Sequence, residues 1–92
     1  MLGKDVSTGE IKPLMLGDEV FRLLDTHGMQ LGEIVDALRE QGLGFDIEGF
    51  IRAARDSGNY TEYRTTQTLL QEAPEPLRLL IPTIVEKVWR KG

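Results

Sequence analysis

The chain has no cysteine, one histidine and six aromatic residues among its 92, and each scarcity removes a class of function. Without thiols there are no disulfides, no thiolate metal sites and no cysteine nucleophile. Small secreted domains usually depend on disulfide staples, so their absence directs the expectation to a reducing, cytoplasmic setting. Long apolar runs are also missing. Residues 79–85 form the longest such stretch and are interrupted by Pro82 and Thr83, far short of the roughly 20 residues that span a bilayer. The opening Met1-Leu2-Gly3-Lys4-Asp5 lacks the apolar region of a secretory signal. No membrane association is therefore expected. Positive charge is short as well: the net charge is −4, which disfavours a polyanion partner for the chain as a whole.

That charge is unevenly placed. Residues 1–50 carry ten acids against four bases, a net of −6, whereas residues 51–92 carry seven bases against five acids, a net of +2. A hydrophobic fraction of 40% with 28% charged residues belongs to a folded chain rather than a disordered one. The length fits one domain, residues 1–92, that buries only about 60–65% of the surface exposed on unfolding. An interface with a partner or a second copy would supply further burial.

Periodicity predicts an all-α fold, a small bundle of four to five short helices with an N-terminal β-hairpin or extended arm. Residues 1–15 form the arm, where Val6 and Ile11 flank a Ser7-Thr8-Gly9 turn. Two strands alone are marginal in water, so the arm must dock. Residues 16–58 form a three-helix core. The first helix covers residues 18–27, with Asp18 as N-cap and Gly28 as its stop. In the second, residues 30–41, Leu31, Ile34, Val35 and Leu38 make one stripe, closed by Gly42. The third starts after the N-cap Asp46, turns Phe50, Ile51 and Ala54 inward and stops at Gly58. Residues 60–91 supply the C-terminal helices. The stretch 60–73 is read as a helix against the strand propensity of its threonines. The last helix, 75–91, keeps helical spacing through Leu77, Leu80, Ile81, Ile84, Val85 and Val88, with a kink or fresh start at Pro82.

The run Leu16-Gly17-Asp18-Glu19-Val20-Phe21-Arg22-Leu23-Leu24-Asp25-Thr26-His27-Gly28, with residues 34–42 and Asp46-Ile47-Glu48-Gly49-Phe50, resembles a stretch of alanyl-tRNA synthetase. The likeness covers residues 14–56. Leu24 stands where that family usually has Tyr, Met29-Gln30 replaces an aromatic-Pro step, and Ile47 replaces a common acid. In the synthetase this stretch lies in the helical region beyond the catalytic core. The class II core motifs and the His and Cys ligands of the editing domain have no counterpart here. The resemblance thus implies a helical module without aminoacylation or editing. Small stand-alone proteins of this look in phages and bacteria add an accessory role to its implications.

Isolated motifs carry little chemistry. His27 has no ligand-spaced neighbours and reads as a residue of the last helical turn, favourable to the dipole when protonated. Asp25 and Thr26 lack a nucleophile and an oxyanion hole to complete a relay. Asp46 and Glu48 read as a cap and a first-turn acid rather than a cation loop. Gly42 and Gly44 read as a helix stop followed by a turn rather than a phosphate loop. No catalytic residue, metal site, cofactor or small-molecule substrate is expected.

Two constellations remain. Arg52, Arg55, Tyr60, Tyr63 and Arg64 surround the Gly58-Asn59 corner, and Arg forks with Tyr faces suit a carboxylate, a phosphate or a protein hot spot. The alternative is a solvated face in which Arg52 pairs with Glu48 or Asp56. Leu77, Ile81, Ile84 and Trp89 mark an interface on the last helix, unless that stripe is spent on the core. Lys87, Arg90 and Lys91 beside Trp89 suit a helix C-terminus. The leading expectation is a non-catalytic protein-interaction or assembly module, bound to a protein partner or to itself. The alternative is an RNA-associated helical module. A DNA reader is disfavoured, because Asp46, Glu48 and Asp56 on the third helix would repel a groove.

Overall fold

In the computed structural model, residues 2–4, 11–72 and 77–91 are described. Five helices dominate: α1 (Gly17–Asp25), α2 (Leu31–Glu40), α3 (Ile47–Ser57), α4 (Glu62–Glu72) and α5 (Leu77–Lys91). Three short strands, β1 (Leu2–Lys4), β2 (Ile11–Met15) and β3 (Gly44–Phe45), stand in the order β1-β2-β3. The mostly helical expectation holds, and the N-terminal arm is a strand pair. β1 runs antiparallel to β2, with Leu2 opposite Pro13 and Lys4 opposite Ile11. The Ser7-Thr8-Gly9 turn lies outside the described residues.

The third strand corrects the reading of Gly44 as a turn. Gly42 does stop α2, at φ +72°. The N–H of Leu43 donates to the Leu38 carbonyl at 2.8 Å and that of Gly42 to the Arg39 carbonyl at 3.1 Å, which is a Schellman stop. The chain then extends at once, and Gly44 and Phe45 pair in parallel with Leu14 and Met15. This ladder lies beyond Pro13, which has no N–H to donate. Docking gives the strand pair the support that it cannot supply for itself. Leu14 is buried, and its side chain folds over Gly3, where a Cβ would meet Leu14 Cδ1 at 2.6 Å.

Each of the paired strands β2 and β3 leads through one residue into a helix, α1 and α3 respectively. Parallel pairing therefore sets the two helix N-termini side by side. Gly17, at the start of α1, is buried there. A Cβ on it would overlap the backbone nitrogen of Phe50 and the carbonyl carbon of Gly49, and would lie 2.5 Å from the Asp46 carbonyl oxygen. Asp46 closes the joint: its Oδ1 accepts from the Gly49 N–H at 3.2 Å and its Oδ2 from the Gly17 N–H at 3.1 Å. One carboxylate thus caps both helices, where the N–H groups otherwise lack partners. This corrects the assignment of Asp18 as the cap of α1. The position before α1 is Leu16, which makes no side-chain cap bond, and Asp18 falls in the first turn, where its charge suits the dipole.

All five helices contribute to the core, α4 through Leu69. Val20, Phe50, Ile51, Ala54 and Val85 have no exposed surface, and each large side chain among them contributes about 1.5–3 kcal/mol by burial. Phe50 is at its centre, edge-on to Phe21 at 5.7 Å and tilted against Phe45 at 5.6 Å.

The threonine-rich stretch is helical, as α4. Its hydroxyls accommodate the helix by bonding within it: Thr65, Thr66 and Thr68 donate to the carbonyls of Thr61, Glu62 and Arg64 at 2.8–2.9 Å. Thr65 is fully buried on that bond. Pro82 lies within α5, which runs from Leu77 to Lys91 without a fresh start. Among the described residues no helix is long and apolar enough to cross a membrane.

Candidate functional site

The corner between α3 and α4 is built by short-range bonds. Gly58, at φ +76°, ends α3. The Ser57 hydroxyl donates to the Ala54 carbonyl at 2.8 Å and accepts from the Asn59 N–H at 3.2 Å. Thr61 then caps α4, its hydroxyl oxygen accepting from the Arg64 N–H at 3.0 Å. This fixes the positions from which the Arg and Tyr side chains leave the backbone.

The five residues expected here divide by role. Tyr60 is half-buried, its ring edge-on to Phe21 at 5.3 Å. The Arg64 guanidinium lies over the Tyr60 ring, 4.2 Å from the centroid, and Nη1 donates to the Asn59 carbonyl at 3.5 Å. A cation over an aromatic face is held by the ring quadrupole. Phe50, Phe21, Tyr60 and Arg64 thus form a continuous stack from the core to the surface. Tyr63 is exposed, as is Arg52.

Arg55 has a different task. Its Nη1 donates to the Val88 carbonyl at 2.6 Å, near the C-terminus of α5, and its Nε to Asp56 Oδ1 at 3.0 Å. It places a cation near the C-terminal end of α5, where the helix dipole favours it, and ties α3 to α5. The anticipated pairing of Arg52 with Glu48 or Asp56 is not what forms. Asp56 takes Arg55 instead, and Arg52 has no hydrogen bond or ion pair among the described residues.

The interface set on the last helix is also redistributed. Leu77 and Ile81 are 6% and 1% exposed and lie in the core, while Ile84 and Trp89 pack against it half-buried. The stripe serves contacts with α3 and α4 because those helices cover that side of α5. The apolar residues that α5 leaves in solvent are Leu79, 73% exposed, and Leu80, 47% exposed.

His27 is exposed and falls just past α1, whose last residue is Asp25, so it is not in the last helical turn as expected. Among the described residues, no group of three or more His, Asp and Glu is placed to hold a metal ion. An open depression between the α1–α2 turn and α4 is lined by Leu24, Met29, Gln30, Leu31, Thr68 and Gln71. Three of these, Leu24, Met29 and Gln30, are positions at which the chain departs from the synthetase pattern. None of the six is titratable, so the depression offers shape and amide groups but no acid–base chemistry.

Sequence reasoning missed the Asp46 joint. Its only trace was that the synthetase-like pattern contains Gly17 together with Asp46, Gly49 and Phe50, the residues that meet there.

Comparison with known proteins assigns a relation to that segment. The chain is 44% identical over 48 residues to the alanine–tRNA ligase of Thermus thermophilus, covering 52% of this chain and 5% of the ligase. It is 40% identical over 45 residues to that of Ehrlichia ruminantium, covering 49% and 5%. The ligase of Pseudothermotoga lettingae is 33% identical over 63 residues, covering 61% and 7%. About half of this chain is therefore related to a segment of alanyl-tRNA synthetase, and it spans a small fraction of those enzymes' length. No protein-family model matches the chain, and no solved structure matches it.

Proposed function

We propose that the chain is a non-catalytic helical module that binds structured RNA through the basic, aromatic corner between α3 and α4. The relation of half the chain to a segment of enzymes that act on tRNA carries this reading. The corner supports it with groups suited to RNA: Arg52 is exposed and unpaired among the described residues, Arg64 is exposed on a stacked ring, and Tyr63 is exposed beside it in sequence. Phosphates would be met by the arginines, and unstacked bases by the ring and guanidinium planes. Arg55 belongs to the scaffold. Fluorescence anisotropy with a structured RNA hairpin is the test. Binding should weaken with salt and fall when Arg52 and Arg64 are both changed to Gln, with the slope of log K against log salt reduced by about 1–2. Absence of binding at low salt, or an unaffected double variant, would refute the reading.

A second reading, a protein-interaction module that associates with itself or a partner, is supported by the exposure of Leu79 and Leu80 on α5. It predicts a concentration-dependent mass in light scattering that Leu79→Ser with Leu80→Ser abolishes. A monomer at every concentration removes self-association.

A further inference from the structure

We infer that the guanidinium of Arg64 is a stacking platform for an unpaired nucleobase, an inference that rests on the RNA reading above. An arginine on a surface helix is ordinarily flexible, and ordering it costs rotamer entropy when a ligand binds. Arg64 has met that cost within the folded chain. Its Cζ lies over the Tyr60 ring, 4.2 Å from the centroid, Nη1 reaches the Asn59 carbonyl, and Tyr60 is braced edge-on by Phe21, itself against Phe50. The plane is thereby oriented from the core outward.

Its charge is also uncommitted. Arg39, Arg55 and Arg90 each pair with an acid, Asp36, Asp56 and Glu86 respectively. No carboxylate neutralises Arg64 among the described residues. A protein carboxylate would approach the edge of a guanidinium, in its plane. Arg64 is exposed, so the side of the guanidinium away from Tyr60 is open to a ligand, and a flat π-system is a group that stacks on it. In RNA such surfaces are the unpaired bases of loops and ends, which stack on Arg and aromatic planes.

The test compares the intact chain's affinity for a short single-stranded RNA with that for an abasic strand of the same phosphate number, and follows Arg64 Nε and the Tyr60 ring by NMR. The base-bearing strand should bind about ten-fold more tightly and shift both signals. Arg64→Lys keeps the charge and removes the plane, so it should abolish that advantage while leaving abasic binding within about two-fold. Equal binding of the two strands, or an advantage that survives in R64K, overturns the inference. Binding of the structured hairpin without any base advantage overturns this inference alone. Failure of every RNA to bind overturns the RNA reading with it.

Discussion

Replacing Asp46 with alanine removes two hydrogen bonds at once. The bond to the Gly49 N–H is an ordinary N-cap, worth about 1 kcal/mol. The bond to Gly17 reaches a buried residue at the start of a different helix. Leaving that N–H without a partner costs about 1–2 kcal/mol. The carboxylate also sits at two helix N-termini, an interaction of about 0.3–1 kcal/mol for each. Asp46→Ala should therefore cost about 3–5 kcal/mol, of a total expected near 5–14 kcal/mol for a chain of this size. The midpoint of thermal unfolding should fall by about 12–40 °C. Asp46→Asn keeps one acceptor oxygen but turns an amide N–H toward the other donor, so it should cost roughly half as much. Urea unfolding followed both by far-UV circular dichroism and by Trp89 fluorescence measures both variants, and coincident curves establish a two-state comparison. A cost for Asp46→Ala near or below about 1 kcal/mol, the value of a single cap, would refute the double role. So would an Asp46→Asn variant as stable as the parent.

Other substitutions test neighbouring parts of the scaffold. Gly17→Ala gains about 1 kcal/mol by helix propensity, yet its Cβ would overlap backbone atoms of Gly49 and Phe50, so a loss of more than about 3 kcal/mol is expected in the same urea assay. Arg55→Met removes the bond to the Val88 carbonyl and should cost about 1–2 kcal/mol, with a shift in the emission of the adjacent Trp89. Pro82→Ala returns an N–H to the middle of α5 at an exposed position. It should stabilise the domain by about 1–3 kcal/mol, seen as a higher unfolding midpoint.

The sequence made the helices α2 and α3 legible because their apolar stripes are regular and each ends in a glycine of positive φ, Gly42 and Gly58. The start of α1 was misplaced for a physical reason: its capping carboxylate comes from Asp46, far along the chain, and a local capping rule selects the nearest acid, Asp18. β3 has two residues, too few for alternation to show, and exists because Leu14 and Met15 offer it a ladder. The threonines of α4 read ambiguously since their β-branched side chains favour strands over helices, whereas here the hydroxyls bond carbonyls one turn back. At the candidate site, residue types and spacing identified the corner but not the partners. Whether Asp56 pairs with Arg52 or Arg55 depends on where the end of α5 lies, and that is set by packing. The same holds for the α5 stripe, whose period was plain while the walls that cover it were not.

The joint at Asp46 has a further consequence for a chain without cysteine. It fastens positions 29 residues apart, a span over which small secreted domains often place a disulfide. A covalent bridge closing such a loop would act largely by restricting the unfolded chain, by roughly 3–4 kcal/mol. The carboxylate vanishes as a cross-link on unfolding, so it leaves the unfolded ensemble free and acts only on the native state. The fastening is therefore indifferent to reductants, and the domain can open and close without any covalent chemistry.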